Sequence, residues 1–209
     1  MSLIVTPEDL FILKEYQWPN VYFHQKQVEV IESWCYNDET YCPAANKVGK
    51  DFVMGFIAVG SFEVCRIKNR TCRIVTTSVS AEHLDVLWGE IGRFLSTARR
   101  PLLHLRGGPL VVNSMEVRRV EEMKGMGTNS YNYLKGMVAK EPEKMQGHHA
   151  EFAGFMADES SAIRNEFYDA AQGWMNHGLF ISNTVPCNNF FRDHCDEGDV
   201  PIARKRGAA

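Results

Sequence analysis

Short apolar, β-branched runs alternate with stretches of helical periodicity along this chain, and that alternation leaves few architectures open. Cys72–Ser78 (CRIVTTS) reads as a buried strand, because its β-branched residues favour a pleated backbone. Ala81–Thr97 follows as a helix, with Leu84, Leu87, Trp88, Ile91 and Leu95 three and four positions apart. Phe152–Ala157 is a further apolar strand, Asn165–Met175 a helix, and Leu179–Ser182 another strand. Ahead of them, 7–16 and 23–36 read as helices separated at Pro19-Asn20, Tyr41–Ala45 as a short strand, and Phe52–Phe62 as a buried helix. Leu110–Val112 and Val117–Val120 are expected as short strands suited to pairing. The stretch 121–147 carries many Gly, Lys and Met residues and is expected to be irregular and mobile. Strands separated by helices form a layered α/β fold with a mainly parallel sheet. Ligands of such sheets bind at the carboxyl ends of the strands.

Bulk properties exclude several classes. At 209 residues the chain has room for one sizeable core. No apolar run approaches the roughly 20 residues that cross a bilayer, and the start, MSLIVTPEDLF, lacks a signal-peptide pattern. A cytosolic protein without a membrane partner is expected. The net charge of −3 gives no overall basic field, which leaves nucleic-acid contact to local patches. The six cysteines form no CxxC pair and are expected to be reduced thiols. His148-His149 is not expected to bind metal, since adjacent side chains diverge and no acidic or Cys partner sits at ligand spacing. There is no internal repeat and no low-complexity segment.

Three segments at strand ends carry the chemistry. The first is Ala44-Ala45-Asn46-Lys47-Val48-Gly49-Lys50-Asp51. Gly49 and Lys50 match the end of a phosphate loop, GxxxxGK[ST], between a strand and a helix. There, backbone N–H groups and the helix N-terminus face phosphates, and the lysine adds a point charge. Ala44 replaces the first glycine of that pattern. Asp51 replaces the usual Ser/Thr, and its carboxylate could hold Mg²⁺ directly or through water. The second segment, Glu151 to Glu159, is an apolar strand ending in Asp158-Glu159, the Walker B pattern. In that pattern Asp158 holds Mg²⁺ and Glu159 polarises the attacking water; alone, the segment also fits an acidic helix cap. The third is Ser182-Asn183-Thr184, whose small polar side chains suit a γ-phosphate or a lytic water, and which also fits a turn before Pro186.

In this order the segments resemble the ATPase domain of viral (bacteriophage) terminase large subunits, over about residues 22–191. HQKQVEVIESW resembles the family's adenine-contacting glutamine motif, and ANKVGKDFVMGFIAVGSF its phosphate loop and helix. RIVTTSVSAEHLDVLWGEI resembles the strand–helix segment beside the nucleotide. KGMVAKEPEKMQGHHAEFAGFMADESSAI is similar to the run into the Asp-Glu strand, and GLFISNTVP to the coupling motif. The resemblance implies a P-loop NTPase of the additional-strand, helicase-like type. The whole chain, 1–209, would be one ATPase domain: N-terminal helices to 40, a nucleotide-binding core over 41–194, and a polar tail leading to a missing nuclease domain. It implies ATP and Mg²⁺ as cofactors. Glu159, Lys50 and Thr184 would be catalytic, and Asp158 and Asp51 would hold the metal. Asn46, Lys47, Val48, Gly49, Lys50, Asp51 and Phe52 would enclose the phosphates, with Ser182 and Asn183 beside them. Gln27, or alternatively Gln25, would read the adenine. Where many members carry a loop arginine, this chain has Asn46 followed by Lys47. Arg118 and Arg119 are candidates for donation to a neighbouring subunit, and Lys124, Lys135, Lys140 and Lys144 for DNA phosphates, although all also read as solvated surface charge. The implied partners are double-stranded DNA, further copies in a ring on a capsid portal, the portal protein and the small terminase subunit, in the cytoplasm of an infected host cell.

Other classes stay open on the residues alone. A helicase motor of the same fold class needs a second similar lobe. A nucleotide-binding scaffold or switch with little hydrolysis is favoured by Ala44 and Asp51. A small-molecule kinase usually has an arginine-rich lid, which 121–147 lacks.

Overall fold

The computed structural model describes residues 3–45, 47–102, 105–107, 115–119, 132–183 and 187–196. The described helices are α1 (Pro7–Gln17), α2 (Gln25–Tyr36), α3 (Lys50–Ile67), α4 (Ala81–Thr97), α5 (Asn165–Gln172) and α6 (Phe190–Asp196). The strands are β1 (Glu39–Pro43), β2 (Cys72–Ser78), β3 (Leu105–Gly107), β4 (Glu116–Arg119), β5 (Tyr133–Val138), β6 (Phe152–Asp158) and β7 (His177–Ser182). The strands join in one sheet of order β1-β7-β6-β2-β5-β4-β3. From β1 to β5 every neighbour pairs in parallel, and β4 and β3 add an antiparallel edge.

Both faces of the sheet are covered, which is why its central strands read as near-continuous apolar runs. Along β6, Phe152 and Met156 enter a core shared with α1–α4, while Ala153, Phe155 and Ala157 enter a second core with α5 and α6. The same alternation divides β7: Leu179 and Ile181 face the first core and Phe180 the second. Trp34 of α2 anchors the first core, stacking edge-on against Phe152 and donating its indole N–H to Ser61 at 3.1 Å. Helix starts follow local chemistry. Thr6 and Asp9 form a reciprocal capping box on α1, and Ser80 caps α4 through the His83 N–H.

Several expectations are corrected. α3 is longer than Phe52–Phe62, because its start is set by Gly49 in the left-handed region and its apolar face continues through Val64 and Cys65. Gly55 does not interrupt it; a side chain there would meet the backbone of Glu90 and Ile91 at 3.2 Å, so the glycine lets α4 pack closely. The irregular stretch expected over 121–147 contains β5, which lies beside β2. Its sequence, YLKGMV, lacks an apolar run because only Leu134 is buried there. Strand β4 pairs with Leu105–Gly107; Leu110–Val112 lies outside the described residues. Among the described residues no helix is long and apolar enough to cross a membrane.

Gly136 of β5 supports a direct test. A Cβ there would sit 2.4 Å from Trp88 Nε1 and 2.9 Å from Met115 Cβ. Gly136→Ala should therefore lower unfolding free energy by about 1–3 kcal/mol, measured by urea denaturation; an unchanged midpoint would contradict the packing of α4 on β5.

Candidate functional site

The parallel order brings the carboxyl ends of β1, β7 and β6 together at one edge. β7 lies between the strand before the Gly49-Lys50 loop and the strand that ends in Asp158. The chain leaving β1 is held there by Ala44 N–H, which donates to Ser182 O at 2.8 Å. It then turns through Lys47 (φ +64°) and Gly49 (φ +76°), both left-handed, into α3. No side chain caps α3, so its first-turn N–H groups present the positive end of an 18-residue helix.

Lys50 crosses the gap. Its ammonium lies 3.3 Å from Asp158 Oδ1 and donates to Glu159 Oε1. Burial opposes its charge, but the bond to Glu159 and the charges of Asp158 and Glu159 hold its pKa above the ordinary lysine value. Asp158 is 2% exposed. Burial pushes its pKa up to about 6, against the opposing pull of Lys50 and with the repulsion of Asp51 and Glu159. Asp51, in the first turn of α3, is also raised by burial, and its Oδ1 has no hydrogen-bond partner. Glu159 has left-handed backbone (φ +52°), an uncommon state for a residue of its kind. Ser182 Oγ lies 3.4 Å from Glu159 Oε2 and donates to Ser161 Oγ at 2.7 Å.

The structure thus brings together Gly49, Lys50, Asp51, Asp158, Glu159 and Ser182. Asn183 adjoins them, with its buried Oδ1 unpartnered. Lys47 and Val48 are exposed on the loop, and Asn46 and Thr184 lie outside the described residues. Phe52 is different. Its ring packs among Phe23, Phe94 and the Arg93 guanidinium, so it offers a phosphate only its backbone. Gln27 is buried against the loop, while Gln25 is exposed at the start of α2. Arg119 is corrected as a candidate for a neighbouring subunit: it is buried, donates to Arg70 O at 3.1 Å and covers Phe62. Arg118 pairs with Glu116 at 2.6 Å. Lys144 pairs with Glu141, Lys135 lies within β5, Lys140 is exposed, and Lys124 lies outside the described residues.

Two residues were missed. Ser161 lies just past the Asp-Glu pair, and its contact with Ser182 comes from the turn after β6. His83 Nδ1 lies 4.0 Å from Glu159 Oε1, and His83, Asp158 and Glu159 can bring ligand atoms within 4.8 Å of one another. The only signal for His83 was its place in the first turn of the helix after β2. A cavity of about 400 Å³ opens between α2 and the loop, walled by Val30, Pro43, Val48 and Val53 with His24 and Gln27 at its rim.

A parallel sheet with an extra strand between the loop-bearing strand and the Asp-Glu strand is a P-loop NTPase-like fold of additional-strand type. Solved structures give the nearer likeness. The chain resembles the ATPase domain of the Thermus phage P74-26 large terminase, with TM-score 0.64 and 16% identity over 91% of this chain and 74% of that one. It also resembles the large terminase of bacteriophage HK97, with TM-score 0.60 and 14% identity over 85% of this chain. The chain spans 37% of the length of the HK97 protein. It has the fold of phage large-terminase ATPase domains. No protein-family model matches the sequence, and no curated protein does.

The raised pKa of Asp158 has a consequence for stability. An acid whose folded pKa exceeds its unfolded value, about 3.9, takes up a proton on folding. That contribution is fully present below the unfolded pKa and is lost as pH rises through about 6. Nucleotide-free Asp158→Asn should melt a few degrees higher than the parent chain at about pH 8, with the gap closing towards about pH 4. Thermal melts across that range check it, and a parent chain that melts higher at about pH 8 counts against a buried-charge penalty.

Proposed function

We propose that this chain is the ATP-hydrolysing motor domain of a viral DNA-packaging terminase large subunit, which drives double-stranded DNA into a capsid. The observation that carries this reading is the meeting of Lys50 with Asp158 and Glu159 at the sheet edge where Ser182 ends β7. The fold of phage terminase ATPase domains supports it.

The residues fit a triphosphate and Mg²⁺. The uncapped N-terminus of α3 suits an anion. Three acids, Asp51, Asp158 and Glu159, gather around one lysine, and Asp51 Oδ1 lacks a partner, which suits a hard cation. Asp158 and Asp51 would hold Mg²⁺, which supplies charge neutralisation on the phosphates. Gly49 and the first-turn amides of α3 bind the phosphate chain. Lys50 leaves its carboxylates for the β and γ oxygens, which frees Glu159. Glu159 then orients the water and takes its proton, with Ser182 beside it to register loss of the γ-phosphate. Asn183 and Thr184 continue that coupling segment. In this reading the chain works in the host cytoplasm, as copies in a ring with DNA, the portal protein and the small terminase subunit. An isolated chain turns over slowly, because a neighbour's arginine adds about a thousandfold or more to such hydrolysis.

A second reading, a nucleotide-binding switch with little hydrolysis, is favoured by Asp51. Its carboxylate adds negative charge where Ser or Thr is usual. Phosphate release from ring-assembled protein separates the two readings.

Glu159→Gln should bind ATP with near-parental affinity and lose about 100-fold or more in turnover, measured by calorimetry and by phosphate release. Near-parental turnover would remove Glu159 from the role of base.

A further inference from the structure

We propose that Gln27 is a positioning residue for the phosphate loop and does not read the nucleotide base. This rests on the triphosphate-binding reading above. Gln27 Nε2 lies 3.3 Å from both Val48 O and Gly49 O and donates to them. Its Oε1 accepts the His24 N–H at 3.3 Å. The amide nitrogen thus faces two loop carbonyls at once. An adenine edge needs a donor and an acceptor presented side by side, and both ends of this amide are already engaged, Nε2 on the loop and Oε1 on His24.

His24 strengthens the hold. Its Nδ1 accepts from Gln27 N–H at 3.4 Å, while its Nε2 faces Val48 O at 3.3 Å. The capping box that starts α2 is therefore also the clamp on the loop. The contact is close: a Cβ on Gly49 would come within 2.8 Å of Gln27 Nε2. In a trans peptide the C=O and the following N–H point to opposite sides. Gly49 O also accepts the first hydrogen bond of α3, from Val53 N–H at 3.1 Å, so what the clamp adds is the hold on Val48 O, which turns the Gly49 N–H the other way, as a donor for phosphate.

The base is left to the cavity between α2 and the loop. Val30, Pro43, Val48 and Val53 wall it, and Ser33 and Thr40 within it bond to each other at 2.8 Å. Apolar walls hold a purine ring by contact and discriminate weakly between bases.

The test measures dissociation constants for ATP, GTP and inorganic tripolyphosphate, each with Mg²⁺, on the parent chain, Gln27→Met and Gln27→Glu. Methionine keeps the length without a donor; glutamate keeps the oxygen that caps His24 but loses both donors. Both variants should weaken all three ligands by a common factor of about ten, with ligand-free melting temperatures close to the parent's. A loss confined to ATP, no loss at all, or a common loss matched by a collapse in melting temperature overturns the proposal and leaves the triphosphate reading standing. A parent chain that binds none of the three removes that reading, and this inference with it.

Discussion

The ion pairs of Lys50 with Asp158 and Glu159 are the interaction on which the site depends. Three acids lie where one ammonium must answer them, and burial makes each charge costly. Lys50 bridges the pair at the end of β6. A polyphosphate is the kind of ligand that can draw the lysine away, and a cation the kind that can take its place. The raised pKa of Asp158 shows that the lysine does not fully offset burial. Functional sites commonly hold such a deficit, since the binding partner completes what the fold leaves unsatisfied.

Sheet order makes the cluster possible. Because β7 lies between β1 and β6, Ser182 is delivered between the loop and the Asp-Glu pair. The turn after β6 is held from the other side as well. Asn189 donates both amide hydrogens, to Ser160 O at 2.9 Å and Ile163 O at 2.6 Å, and is followed directly by α6. The second core then fixes α6 against β1 and α5: Tyr41 of β1 stacks on His194 and Tyr168 of α5 on Phe190. The loop strand, the Asp-Glu turn and the last described helix are thus packed together.

The residues that meet at the sheet edge were legible in sequence where they depend on local pattern. Gly49-Lys50 ahead of a helix, and Asp158-Glu159 after an apolar strand, are signals carried by consecutive residues. Helix α4 and strand β2 were legible to the residue, because heptad-like spacing and β-branched composition need no partner to be recognised. β5 was hidden, since its neighbours bury Leu134 and leave the rest half-covered. Phe52 was read as part of the loop by position, although its ring answers to the aromatic cluster of Phe23 and Phe94.

The sequence by itself determined most of the helices and central strands, the alternation that demands a parallel sheet, and the acidic and basic groups at strand ends, because these follow from periodicity and side-chain chemistry within short windows. Tertiary structure alone decided which groups meet. That Ser161 touches Ser182, that His83 stands beside Glu159, that Arg119 is buried and that Gln27 spends its amide on the loop all depend on strand order and helix docking. Those are properties of contacts between residues far apart in the chain, and no local pattern encodes them.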